Sequence, residues 1–130
     1  MNTTLPNRKS VLVIEDNYAI MDVITLILQD ESYQVTGLHK GADLMPNIEK
    51  IKPDLIILDI MLPDGDGRDL LKTIRSDAST AHIPVLMISA RYTEDNVEHG
   101  EFKPNGFLAK PFDIDELLAR IEGILEGNTY

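Results

Sequence analysis

Glu15 and Asp16 directly follow the apolar run Val11-Leu12-Val13-Ile14, and Asp59 closes a second one, Leu55-Ile56-Ile57-Leu58. If these runs are neighbouring strands, the three carboxylates converge in one crevice. Uncompensated, they repel and raise one another's pKa values. A hard divalent cation removes that conflict. An oxygen-only site with few protein ligands suits Mg2+, which keeps several of its waters, with Mn2+ an acceptable substitute. Taken singly, each acid is equally well explained as a helix N-cap, because a helix or turn follows it. For Asp16 alone that explanation is the better one. The second strand-end acid at the same edge is what argues for a site.

Two further apolar runs end in complementary groups. One, Pro84-Val85-Leu86-Met87-Ile88, ends in Ser89; the other, Gly106-Phe107-Leu108-Ala109, runs into Lys110-Pro111. A hydroxyl, an ammonium and a metal around one carboxylate form a receptor for a phosphoryl group. The cations neutralise equatorial oxygens and the hydroxyl donates a hydrogen bond. Alone, Ser89 is an ordinary turn residue and Lys110 an ordinary surface charge. The constellation at four strand ends is the specific signal.

The elements that must position these residues alternate along the chain. Strands are expected at 10–14, 33–38, 55–59, 84–89 and 106–109, mostly apolar and β-branched. Between them, Ile20, Val23, Ile24, Ile27 and Leu28 mark a helix over 17–30. Leu44, Ile48 and Ile51 mark a weaker one over 41–51, with Pro46 interrupting its middle. Leu70, Leu71 and Ile74 face inward from a helix over 66–76. Ile114, Leu117, Leu118, Ile121 and Leu125 mark a last helix capped by Asp113. The segment RYTEDNVEHGEFKPNG offers few apolar positions beyond Val97 and Phe102, and Gly100, Pro104 and Gly106 oppose a continuous helix. A fourth helix there is expected to be short or irregular, with fast-exchanging amides over 92–104. Uniformly apolar strands alternating with helices imply an α/β, doubly wound parallel sheet with helices on both faces. Ligands of such sheets bind beyond the C-terminal strand ends, where the winding reverses.

With 130 residues the chain holds one domain, expected over 10–126 between a flexible tail at 1–9 and another at 127–130. The absence of cysteine excludes disulfide and thiol chemistry. No apolar run approaches the roughly 20 residues of a membrane span. The start, MNTTLPNRK, lacks a signal peptide's apolar middle, so a cytoplasmic location without membrane contact is expected. A net charge of −10 argues against direct nucleic-acid binding by this domain, which needs clustered positive charge.

The stretches VLVIEDN, PDLIILDIMLPDGDG, IPVLMISA and GFLAKPF, in this order and at this approximate spacing, resemble the receiver domain of bacterial two-component response regulators over about 10–126. The resemblance implies five strands in the flavodoxin-like order 2-1-3-4-5, a topology for which receivers are a standard illustration. It implies that Asp59 accepts phosphate from a sensor histidine kinase or histidine phosphotransfer protein, and that the domain is a regulator promoting only its own phosphorylation and dephosphorylation. By position, Asp16, Asp59 and the backbone carbonyl of Met61 would ligate Mg2+, with Glu15 acting through water. Ser89, the Ala90 backbone and Lys110 would hold the phosphoryl group. Phe107 takes the switch-aromatic position, where tyrosine is commoner. Met61 and Arg91 flank the path of a hydrolytic water. With no room left for an output domain, a stand-alone receiver would signal by docking to a protein target, as a monomer or a phosphorylation-dependent dimer. A receiver excised from a longer regulator or hybrid kinase is the other possibility.

Competing readings fare less well. A dehalogenase-like phosphatase wants a second acid where Met61 stands, and a flavodoxin phosphate loop would not be as acidic as EDNYA. In PDGDGRDL, Arg68 spoils the spacing of a calcium loop and Arg75 stands where its bidentate acid belongs. His39, His82 and His99 show no ligand spacing and read as surface residues. A pseudo-receiver acting only as an interaction module is the rival of a different class.

Overall fold

The computed structural model describes residues 8–91 and 102–127. Five strands form one parallel sheet: β1 (Ser10–Ile14), β2 (Gln34–Leu38), β3 (Leu55–Asp59), β4 (Val85–Ser89) and β5 (Gly106–Ala109). Their spatial order is β2-β1-β3-β4-β5. The helices are α1 (Tyr18–Asp30), α2 (Leu44–Ile51), α3 (Gly67–Ser76) and the C-terminal helix (Ile114–Leu125). The doubly wound, flavodoxin-like order is the expected one. The segment expected to hold a short fourth helix falls mainly on 92–101, outside the described residues.

Every residue of β3 and β4 is buried, and the core shows why these strands need no polar face. Leu12, Ile14, Ile56, Leu58, Val85 and Met87 pack on one side of the sheet against Leu44 and Ile48 of α2 and Leu71 and Ile74 of α3. Val11, Val13, Leu55, Ile57, Leu86 and Ile88 pack on the other side. There they meet Met21, Ile24 and Leu28 of α1 and Leu117, Ile121 and Ile124 of the C-terminal helix. Successive strand side chains point to opposite faces, so a sheet covered on both sides must be apolar throughout.

Several local expectations are corrected. Pro46 does not interrupt a helix: a 3-10 turn occupies Gly41–Asp43, so Pro46 falls in the first turn of α2, where its missing N–H has no intrahelical partner to lose. Asp113 stands at the N-cap of the last helix, but its side chain makes no capping bond. Asn17 and Asp66, by contrast, do cap, accepting from Ile20 N at 3.0 Å and Arg68 N at 2.8 Å. Ahead of β1, Gln34 N donates to the Lys9 carbonyl at 2.8 Å and Arg8 Nε to the Ser32 carbonyl at 3.1 Å.

The turn after β3 is held by bonds to its own strand end and to a neighbouring turn. Met61–Leu62 pairs antiparallel with Gly65–Asp66. From the loop between them, the Asp64 carboxylate accepts from Gly41 N at 2.8 Å and Ala42 N at 2.9 Å, which ties this hairpin to the 3-10 turn ahead of α2. Gly67 N then donates back to the Ile60 carbonyl at 2.6 Å. A Cβ on Gly67 would overlap the Asp59 carbonyl oxygen and lie 2.9 Å from Ile60 Cα. Backbone cannot swing aside as a side chain can, so Gly67 is required for space.

Gly67→Ala should therefore lose about 1–3 kcal/mol in urea denaturation, the usual range for overpacking. Gly123→Ala, in the C-terminal helix with nothing within 4 Å of the added Cβ, should be neutral or slightly stabilising. Equal stability of the two variants would refute the steric argument.

Candidate functional site

Strand register delivers the acids to one place. Ile14 pairs with Leu58 at the junction of β1 and β3, where the winding reverses, so the next residues, Glu15 and Asp59, come level. One carboxylate oxygen each from Glu15, Asp16 and Asp59 lies within 4.8 Å of the other two. Glu15 and Asp59 are buried, whereas Asp16 is exposed at the rim. On the far side of β3, Asp59 pairs with Ile88 and Ser89 with Ala109, and the Lys110 amide donates to the Ser89 carbonyl at 2.8 Å. The sheet thus presents the four strand ends singled out in the sequence along one edge.

The ammonium of Lys110 lies between two of the acids. Its Nζ is 2.6 Å from Glu15 Oε1 and donates to Asp59 Oδ2 at 3.0 Å. Burial pushes the Glu15 carboxyl up to about 7, against the lowering pull of Lys110 and of the Asn17 amide, and the neighbouring Asp59 adds to the rise. Burial alone would lower the Lys110 pKa, but its two carboxylate partners outweigh that effect and hold it above the ordinary lysine value. Three acids against one ammonium leave a negative excess in a partly buried crevice. The donors are all hard oxygens, and the charge imbalance is the kind a divalent cation relieves. The residues present fit Mg2+.

The remaining candidate residues take distinct places. Met61 N donates to Asp59 Oδ1 at 3.1 Å, and the Met61 side chain is 43 % exposed at the rim. Ser89 is fully buried and its Oγ accepts from Arg91 N at 3.1 Å, while the Arg91 side chain is exposed. Ala90 lines a groove of about 430 Å3 with Ala19, Ile20, Val23, Lys110 and Phe112. Phe107 packs within the core on the α2 and α3 side, and its carbonyl accepts from Arg120 Nη1 at 2.6 Å.

One neighbour of the acids was misjudged from sequence. His39 is half-buried, not a free surface residue: its ring contacts the Glu15 carbonyl through Nδ1 at 2.8 Å and lies against Tyr18 with centroids 4.0 Å apart. Nothing in its spacing marks it, because the contact depends on β2 ending beside β1.

Replacing Lys110 by Met should expose the repulsion it offsets. Without the ammonium, the folded-state pKa of Glu15 rises further above its unfolded value of about 4.3. A carboxyl raised on folding loses stability as pH climbs from the unfolded to the folded pKa. In chelator, the stability deficit of Lys110→Met relative to wild type should thus stay level from about pH 5 to about pH 7, where Glu15 is protonated in both folded proteins, and grow from there to about pH 8, towards the roughly 3–5 kcal/mol typical of a broken buried ion pair. Urea denaturation at these pH values checks this, and a deficit that shrinks with rising pH would contradict it.

Comparison with known proteins agrees with the geometry. The family model of the response regulator receiver domain matches residues 11–122. The transcriptional regulatory protein GltR of Pseudomonas aeruginosa is 37% identical over 120 residues, covering 92% of this chain and 50% of GltR. The DNA-binding dual master transcriptional regulator RpaA of Synechocystis is 36% identical over 116 residues, covering 88% of this chain and 48% of RpaA. The chain thus spans about half the length of these curated relatives. Among solved structures, a protein of Chloroflexus aurantiacus described as a response regulator superposes with a TM-score of 0.86 at 31% identity, covering 92% of this chain and 99% of that one. The chemotaxis response regulator CheY4 of Vibrio cholerae gives 0.83 at 25% identity, covering 91% and 99%. With its acids, lysine and hydroxyl set along the switch-point edge of this sheet, the chain belongs to the response-regulator receiver family.

Proposed function

We propose that Asp59 accepts a phosphoryl group from the phosphohistidine of a sensor kinase or phosphotransfer protein, and that this changes what the surface around β4, β5 and the C-terminal helix binds. The observation that carries the reading is the Lys110 ammonium on Asp59 Oδ2, inside a cluster of acids whose negative excess a divalent cation would offset. In the transfer, an Asp59 oxygen attacks phosphorus. The O–P bond forms as the donor's P–N bond breaks, and the leaving imidazole takes up a proton. Glu15, Asp16, Asp59 and the Met61 carbonyl would hold Mg2+, which supplies positive charge against the phosphoryl oxygens when bound. Lys110 neutralises a second oxygen, the Ser89 hydroxyl and Ala90 amide donate hydrogen bonds, and Phe107 reports the change to the core. The domain is a signalling regulator, not an enzyme acting on other substrates.

Partners follow from the surface. Val23, Leu26 and Ile114 expose apolar side chains on α1 and at the start of the C-terminal helix, and Val23 lines the groove that reaches Lys110. That face suits a donor protein. The relatives named as DNA-binding regulators are about twice as long, and a receiver in that setting would govern a separate DNA-binding segment. Alone, this domain would act by docking to a protein. Among the described residues no helix is long and apolar enough to cross a membrane.

Two measurements test the chemistry. With acetyl phosphate and Mg2+, intact-mass analysis should show one added phosphate on wild type and none on Asp59→Asn or in excess chelator. Labelling of Asp59→Asn at the wild-type level would remove the assignment, and no labelling of either protein would favour a pseudo-receiver.

Lifetime is the second. Hydrolysis needs a water in line with the O–P bond, and the rim positions flanking Asp59 hold Met61 and Arg91, neither suited to orienting water. Self-hydrolysis should be slow for the family. Met61→Asn combined with Arg91→Glu should speed decay of the labelled species about tenfold or more. Unchanged or slower decay would count against this.

A further inference from the structure

Asp16 is the one acid of the cluster that is exposed, and its position depends on how the chain leaves β1. On one side of Glu15, the backbone is pinned by Glu15 N donating to the Leu38 carbonyl at 2.9 Å. On the other side lies the Glu15–Asp16 peptide, whose plane sets the relative direction of two of the three carboxylates. Its carbonyl oxygen is the atom that His39 Nδ1 meets at 2.8 Å. A carbonyl can only accept, so Nδ1 carries the proton and donates. The imidazole is in turn held by Tyr18, the first residue of α1, with centroids 4.0 Å apart and planes tilted by 35°. Tyr18 is itself 69% exposed, so this ring pair is not part of the core.

We propose that His39, clasped by Tyr18, is a positioning residue for the metal: it fixes the Glu15–Asp16 peptide so that Asp16 is oriented for a divalent cation before the cation arrives. The inference rests on the reading of Glu15, Asp16 and Asp59 as a Mg2+ site. Groups that hydrogen-bond behind metal ligands raise affinity by reducing the ordering that binding must otherwise impose. Here the group grips the backbone joining two acids, and it stands just after β2, a strand whose end contributes no acid to the cluster. Neither residue is a member of the core clusters, so the arrangement can be altered without removing a core side chain.

Three substitutions separate the donor from the ring. His39→Phe keeps a ring for Tyr18 but cannot donate; His39→Asn keeps an N–H near the position of Nδ1 but cannot stack; His39→Ala loses both. Isothermal titration of each unphosphorylated protein with MgCl2 reads the affinity, and urea denaturation in chelator reads stability separately. The expected result is Mg2+ binding weakened roughly tenfold in His39→Ala and His39→Phe and largely restored in His39→Asn, the lower end of what such supporting groups contribute. Tyr18→Ala should fall between Asn and Ala. A merely structural role would lower stability and leave the affinity of the folded protein unchanged, so wild-type affinity in His39→Phe would overturn the proposal. Absence of any Mg2+ binding by wild type would instead overturn the reading of the acids, and the proposal with it.

Discussion

Three carboxylates within 4.8 Å of one another, answered by a single ammonium, are the constraint on which the rest of this structure depends. A pair of like charges 4 Å apart is worth about 4 kcal/mol even at an effective dielectric near 20, more than a typical hydrogen bond contributes. Such a cluster stays assembled only if the backbone beneath it cannot relax. The strands β1, β3 and β4, apolar except for Ser10, Asp59 and Ser89 at their ends and buried on both faces, supply that rigidity. The acids stand where these strands meet solvent, so two are buried enough to be sensitive to charge while Asp16 remains accessible.

The sequence made the strand ends legible because an acid, hydroxyl or lysine at the edge of a uniformly apolar run breaks a pattern that packing alone would continue. Glu15, Asp59, Ser89 and Lys110 are each visible in that way. Contacts created by the topology were not. Asp64 reads as a turn residue, yet its carboxylate holds the Gly41 and Ala42 amides of another loop and stays below its ordinary pKa because of them. His39 reads as a surface residue because its partner, Glu15, lies 24 positions away. Asn105 carries no mark of a role in the sequence. Its Oδ1 in fact accepts from Val85 N at 2.9 Å and from the half-buried Arg75 at 2.7 Å, fastening the start of β5 to β4 and α3. Pro46 was misplaced for a simpler reason: helix periodicity locates a face well and a first turn poorly.

Lys110 also links the acids to the strand ends where the family resemblance places a switch. Its amide is bonded to the Ser89 carbonyl and its ammonium to Glu15 and Asp59, so β1, β3, β4 and β5 meet at one residue. Three positions back along β5, Phe107 is buried in the core on the α2 and α3 side. A change in the charge carried by Asp59 must therefore be absorbed by a side chain whose own backbone is bonded to β4. Surface ion pairs can yield to such a change by letting solvent in. Here Glu15 is fully buried and the Lys110 side chain is only 12% exposed, which leaves movement of the strand ends as the less costly response.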